Sequence, residues 1–525
     1  MRKTLLLLAG ISLFFASFFV SCQQQNSSTQ TLRLTLDSDP TTLDPRKATD
    51  LNAHNIIRML YDGLMRLDPN GQLVHSVARH HQISKDGKTY TFYLKDTKWS
   101  NGRSLTAFDF EHTWKEILKP KFPSGDCFKL FVIKNARGAK EGTLPLDSVG
   151  IRAINAQTLV VELENPTPYF LELTAQTAFF PVLKGTPVGS YSQSNGPFQL
   201  VSWKHNHQLL FRKNPFYWDY ENTSLEELEI NIVPNETTAL SLFEGGNIDW
   251  IGQPFSPLPT DALDSLKNQW TIQRSPVSAT CWLVFNTDKY PFHNENIRKA
   301  FSLAIHRSSL SKDVMQEESF PAYAPIPKMQ NYESSIFYED SSTSEAQAYL
   351  DKALQELGIS KEALEITFKY NSSALNHRIA QALQNQWLEN LGVAVKLEQN
   401  EWKVHLSQLK EKNFEMARTA WFADFSDPIA FLDLFKYKSN GTNYPSWENQ
   451  KFTELLDASC TIADPIRRAD MLKKAENIFI SQMPVAPLYF YSYSFICREN
   501  LKKYVVSSIG EVDFKWAYFE KGKAR

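Results

Sequence analysis

Cysteine is scarce in this 525-residue sequence: there are five, too few for a disulfide scaffold and none in the C-x-x-C spacing of zinc or thiol-redox sites. Charge of one sign is missing as well. Fifty-six Lys and Arg against 58 Asp and Glu leave a net charge of −2, which offers nothing to a phosphate backbone, so no nucleic-acid partner is expected. No G-x-x-x-x-G-K-[ST] loop, G-x-G-x-x-G fingerprint, H-E-x-x-H pair or G-x-S-x-G elbow occurs, and the common catalytic classes lose their support. The absence of a repeat of 20 to 50 residues excludes a solenoid or propeller. Only one long apolar run exists, which excludes a polytopic membrane protein, and 20 Gly with 26 Pro exclude collagenous or low-complexity character.

The length predicts about three or four domains with a sizeable core. Aromatics are plentiful, with 35 Phe, 20 Tyr and 12 Trp. Most rings belong to a core of that size, while a minority can wall a small-molecule or peptide pocket. The apolar run, Leu5 to Val20, follows Arg2 and Lys3 and precedes the polar tract Gln23 to Ser28, with no basic stop-transfer cluster. This is the anatomy of a secretion signal. Phe19-Val20-Ser21-Cys22 resembles the lipobox of bacterial lipoproteins, apart from Phe19 where Leu is usual. The resemblance implies cleavage after residue 21, lipid on Cys22 and a location on the outer face of the cytoplasmic membrane. In that compartment Cys127, Cys281, Cys460 and Cys497 are open to bridging or to burial as free thiols.

Hydrophobic periodicity predicts a mixed α/β or α+β chain with more than one sheet. Leu32, Leu34 and Leu36 alternate as a strand, and Ile56, Ile57, Leu60, Leu64 and Leu67 fit one helical face over 52–67. Strands are expected at Tyr90–Leu94, Thr158–Leu163, Gln208–Phe211 and Leu228–Val233. A helix headed by Thr106 carries Phe108, Phe110, Trp114 and Leu118 near one face. The unit 344–398 reads as helix, strand, helix, strand: Ser344 and Gln347 have capping-box form, and Gly358 and Gly392 end the helices. Its two strands form a β-α-β crossover in a partly parallel sheet. Helix 467–480 and a β segment from Val485 to Ile496 follow.

His80-His81 and His205-x-His207 have no companion ligands at useful spacing, so surface histidines are expected there and no metal. Pairs such as Asp424 and Asp427 are compatible with acid–base work but do not by themselves indicate it.

Several stretches together resemble the extracellular solute-binding proteins of bacterial ABC importers, in the large peptide- and nickel-binding family. The run Tyr93 to Phe110 contains Trp99-Ser100-Asn101-Gly102 and Thr106-Ala107-Phe108-Asp109-Phe110, similar to that family's W-S-[DN]-G and T-A-x-D-F signature. Asn195-Gly196-Pro197-Phe198, Asn214-Pro215-Phe216-Tyr217-Trp218, Phe243 to Asp249 and Asn296 to Phe301 resemble further family segments. Phe414 to Pro428, with Ala417-Arg418, Trp421 and Ala423-Asp424-Phe425, is similar to the F-D-x-A-R-x-x-W-x-A-D-Y-x-[DE]-P stretch of the oligopeptide-binding members.

The resemblance implies an α/β, two-lobed periplasmic-binding-protein fold (type II, cluster C) with an extra third domain. Its expected division is a signal segment over 1–22, a discontinuous lobe I (23–61, 186–280, 505–525), an extra domain (62–185) and lobe III (281–504). The implied function is capture of oligopeptides and delivery to a permease and its ATPases, by a monomer without cofactor or catalytic residue. Asp424 is the implied partner of the peptide's α-ammonium, with Ala423 and Phe425 beside it. Arg418 is implied to meet the carboxylate of short peptides, or equally to form a structural ion pair. Trp402, Trp421, Tyr489 and Tyr491 are the implied pocket walls.

The sequence also departs from the family. Thr49 stands where the segment Asp44 to Thr49 often ends in an acidic residue. Phe422 replaces a Cys that the oligopeptide binders pair with a distant one, so Cys281 lacks that bridge. Asn376 and Leu409 replace a His or Arg near the peptide C-terminus, with His377 and Lys410 adjacent. Alternatives within the family are a murein tripeptide, dipeptide, nickel or haem binder; outside it, an exported peptidase or amidase, or an adhesive surface lipoprotein.

Overall fold

The structure is a computed structural model that describes residues 30–520 apart from 192, 317–318, 330–331, 338–339, 341 and 463. The expected signal segment and Cys22 lie outside the described residues, as do residues 521–525.

Alternation builds the first sheet. Leu32, Leu34 and Leu36 are buried along Thr31–Leu36. This strand runs parallel to Glu227–Ile232, which continues antiparallel to Gln208–Lys213 and Phe198–Lys204. A second sheet, antiparallel throughout, orders Ala78–Ile83, Thr89–Leu94, Thr158–Glu162 and Ile151–Asn155. Tyr90, Phe92 and Leu94 face its core, onto which Ala107–Ile117 packs through Phe110 and Trp114.

The third sheet has seven strands, with Trp250–Gly252, Val485–Cys497, Gln273–Phe285, Met416–Phe422, Ile366–Asn371 and Val395–Asn400 side by side, and Ser319–Pro321 on Val485–Cys497. Period-two patterning puts a core on each of its faces. Cys281, Leu283 and Phe285 enter one cluster with Trp387, while Trp282 and Val284 enter the other with Phe431 and Phe479. The strands Ile366–Asn371 and Val395–Asn400 are parallel and joined by the helix Ala374–Leu391, as the crossover pattern predicts. Two 13-residue strands, Gln273–Phe285 and Val485–Cys497, are the longest of this sheet and pair with each other. Their register breaks between Pro276 and Thr280.

The sequence expectations fail at three local points. The helix predicted over 52–67 ends at Leu60, with Tyr61 extended, and Met65–Leu67 pairs as a strand with Leu73–His75. Tertiary bonds divert the chain there: the Asp62 amide donates to the Asn195 side chain, whose own amide donates to the Asp62 carbonyl. Phe108 is 49% exposed rather than on the buried face. The Ser344–Gln347 capping box does not form, because the cap is Ser342 and Gln347 donates instead to the Asn390 carbonyl. Gly358 does close that helix, in the left-handed region at φ +65°. Among the described residues no helix is long and apolar enough to cross a membrane.

Candidate functional site

The strand Met416–Phe422 organises the site. It lies antiparallel to Gln273–Phe285, with Asn286 donating to the Glu415 carbonyl at one end and Ala423 to the Ser278 carbonyl at the other. Antiparallel ladders alternate, so the odd-numbered residues between them bond to that neighbour and Arg418, Ala420 and Phe422 turn their backbone groups the other way. On that side Ile366–Asn371 pairs only through Met416 and Ala417. The Arg418 carbonyl is taken by His405 Nε2 at 2.9 Å. No strand pairs with the outward edge of Ala420 and Phe422 among the described residues, which makes it a free sheet edge suited to an added chain.

Each end of this edge carries a charged side chain. Arg418 is buried and donates to the hydroxyls of Tyr489 at 2.9 Å and Tyr491 at 3.1 Å, and to the Asn371 side chain at 3.3 Å. Its Nε has no partner. Cys281, opposite Ala420 and Tyr489 in the ladder, is fully buried beside this group, and burial pushes its thiol up. It is a free cysteine, like Cys127, Cys460 and Cys497. Phe422 is 52% exposed, with its ring 4.8 Å from that of Tyr491.

Asn376 and His377 fall nearby. Asn376 donates to the Asn371 carbonyl, and His377 Nδ1 is 2.7 Å from the Tyr370 hydroxyl. Both side chains thus brace the segment that faces Arg418. Leu409 is buried in the core behind the sheet. Trp402 opens the helix Trp402–Lys410 and is 53% exposed, with its ring 6.4 Å from that of His405, which takes the Arg418 carbonyl.

At the other end, Asp424 follows the strand in a loop. Its side chain is 35% exposed, and Lys129 Nζ lies 4.0 Å from its Oδ1. Burial pushes the carboxyl up, with Lys129 acting against the shift and Asp126 adding to it. The loop is held by segments distant in sequence. Gln176, 248 residues away, donates to the Asp424 carbonyl at 2.6 Å, and Phe425 stacks on Tyr169 at 4.2 Å. Asp427 receives both Arg468 Nη groups, at 2.6 and 2.9 Å. Trp421 donates to the Ala430 carbonyl and, with Asp424, Lys129 and Tyr169, lines a cavity of about 700 Å³. Ala423 is buried at the start of the loop.

Sequence reasoning missed Lys129, Tyr169, Gln176 and Asn371. They belong to segments without a distinctive motif, and only folding brings them to the strand. Conversely, the motifs that carry the resemblance are scaffold. The Ser100 amide donates to the Ser194 carbonyl at 2.7 Å, joining W-S-N-G to N-G-P-F, and Asn214 donates to the Gly196 carbonyl, joining N-P-F-Y-W. Tyr217 and Trp218 both donate to buried Asp62. His81 Nδ1 lies 2.9 Å from His75 Nε2, and no group of three or more potential metal ligands occurs among the described residues.

Two four-stranded sheets and a seven-stranded sheet, packed with helices, make a mixed α/β protein with several sheets. The chain belongs to the bacterial extracellular solute-binding proteins, family 5, whose middle-region profile matches residues 72–443. It is 40% identical over 505 residues to the oligopeptide-binding protein OppA of Bacillus subtilis, covering 93% of each chain. Among solved structures it matches the unliganded open form of the periplasmic murein tripeptide binding protein MppA, with TM-score 0.84 and 28% identity over 94% of this chain and 98% of that one. Listeria monocytogenes OppA bound to peptide matches with TM-score 0.70 and 28% identity, over 94% and 100% of the two chains.

Proposed function

We propose that this protein captures oligopeptides for an ABC importer. The observation that carries the reading is the free edge at Ala420 and Phe422, bracketed by Asp424 and the carboxylate-free cation Arg418. A peptide added there in extended form gains main-chain hydrogen bonds irrespective of its sequence. Its ammonium pairs with Asp424, and the carboxylate of a short peptide meets Arg418. Asp424 stands six positions along the chain from Arg418, about 20 Å if extended, so peptides of up to roughly six residues fit between them. Trp421, Phe422, Trp402, Tyr489 and Tyr491 supply flat walls that tolerate varied side chains. Asn376, which stands in place of a direct carboxylate ligand, and the adjacent His377 act by positioning Asn371 and Tyr370.

Lobe I is assigned to 23–61, 186–280 and 505–525, the extra domain to 62–185 and lobe III to 281–504. The register break at Pro276–Thr280 supports a hinge in the two long strands. The higher similarity to an unliganded open form than to a peptide-bound relative supports an open state here. Closure brings lobe I over the edge, and the closed form docks on a permease and its ATPases as a monomer. The signal segment 1–22 and the lipobox-like Cys22 support a lipid anchor on the outer face of the cytoplasmic membrane. A binding role without catalysis fits the relatives, which are named as binding proteins. Murein tripeptide is the second reading, favoured by the match to MppA, and offers Asp424 the same amine.

Calorimetry tests the anchor. Asp424→Ala is expected to weaken a free-amine tetrapeptide at least tenfold and its N-acetylated form little, since an ammonium–carboxylate pair out of water is worth more than about 1.4 kcal/mol. Equal loss for both sinks the assignment. Mass spectrometry of ligands retained through purification separates general oligopeptides from murein peptides.

A further inference from the structure

Asp424 does not stand alone. Lys129, from the turn Asp126–Val132, reaches its Oδ1 at 4.0 Å and is held at 2.9 Å by Asp126. Asp126 in turn lies 3.6 Å from Nε2 of His54, whose Nδ1 is 2.6 Å from the Thr177 hydroxyl. Burial pushes His54 down, so the ring is neutral at neutral pH. The group therefore holds two carboxylates and one ammonium, a net charge of −1. That leaves room for one further monovalent cation. The side chains of Lys129 and Asp126 are 12% and 14% exposed, so neither charge is fully screened by water. Arg137, Glu164 and Asp433 line the same cavity.

We propose that Lys129 is a selectivity-determining residue, a built-in ammonium that competes with the ligand's amine for Asp424, with Asp126 setting how strongly it competes. The inference rests on Asp424 being the amine anchor. In the empty protein Lys129 shares its charge between two carboxylates. When a ligand amine arrives, Lys129 retreats to Asp126, and charges of alternating sign surround the site. Lys129 and a ligand amine compete for the same carboxylate, so Lys129 raises the cost of amine binding and leaves neutral N-termini unaffected. Asp126 has the opposite effect, because losing its carboxylate leaves Lys129 nothing to pair with except Asp424.

The opposed signs make the test. Tetra-alanine and N-acetyl-tetra-alanine are titrated calorimetrically into wild type, Lys129→Met, Lys129→Arg, Asp126→Asn, the Lys129→Met/Asp126→Asn double variant and Asp424→Asn. Unfolding midpoints confirm that each variant is folded. Lys129→Met is expected to tighten tetra-alanine roughly three- to tenfold, the range for a partly buried charge pair, and to leave the acetylated peptide unchanged. Lys129→Arg should behave as wild type. Asp126→Asn should weaken tetra-alanine by a similar factor, and the double variant should bind at least as tightly as wild type. If Asp424→Asn abolishes the preference for the free amine but Lys129→Met does not tighten binding, the role of Lys129 is refuted and the anchor survives. If Asp424→Asn keeps that preference, the anchor itself is refuted.

Discussion

Arg418 donates to the hydroxyl of Tyr489 at 2.9 Å, and among the described residues no carboxylate lies within 4.0 Å of its guanidinium. A buried cation held by neutral hydroxyl and amide oxygens beside the Cys281 thiol, with Nε unpartnered, is incompletely neutralised and favours an arriving anion. Of the two expectations for this residue, the structural ion pair is therefore not what the fold builds.

Arg418→Met should weaken binding of di- and tripeptides with a free carboxylate about tenfold, the scale of one charge-assisted hydrogen bond. C-terminally amidated versions should lose little. Calorimetry on the matched pair checks this, and equal losses would return Arg418 to a structural role.

The Asp427–Arg468 pair fastens the Asp424 loop to the helix Pro465–Ser481, with both side chains 10% exposed. Asp427→Asn leaves the guanidinium buried without its countercharge and should cost about 3 kcal/mol, seen as a lower unfolding midpoint. Adding Arg468→Met should recover part of that loss.

Glu476 is fully buried and accepts from Tyr332 at 2.8 Å and Ser334 at 2.6 Å. Burial raises its carboxyl from 4.5 to about 7. Below pH 4.5 the group is protonated in the folded and unfolded chains alike. Between 4.5 and about 7 the folded protein keeps a proton that the unfolded chain releases, so the stability from this group is lost as pH rises through that window. The loss is about 3 kcal/mol when complete. Urea midpoints at pH 5 and pH 8 should differ in wild type and converge in Glu476→Gln.

Gly196 meets the helix end Leu60–Tyr61 so closely that a Cβ would lie 2.6 Å from the Leu60 carbonyl carbon and the Tyr61 nitrogen. Both contacts are backbone, so Gly196→Ala should force a shift and cost about 2 kcal/mol or more. Thermal unfolding reads the change.

Much of the fold is legible in local pattern. Alternating Leu32, Leu34 and Leu36, the helix closed by Gly358, and the crossover from Ile366 to Asn400 obey rules that act over a few residues. The expectations that failed lie where a distant segment overrides a local preference, as Asn195 does at Asp62 and Asn390 at Gln347. The proximity of Arg418, Trp421 and Asp424 was legible because they share one continuous stretch. Lys129, Gln176 and Asn371 were not, because nothing in their own surroundings marks them.

The sequence by itself determined the alternation of strands and helices and placed Arg418 and Asp424 in a single run. These depend on periodicity and on neighbours along the chain. Tertiary structure alone decided which edge of Met416–Phe422 stays unpaired, that Arg418 faces phenols instead of a carboxylate, and that Lys129 stands beside Asp424. Charge interactions fall off with distance through space, and chain separation does not limit which groups folding brings together.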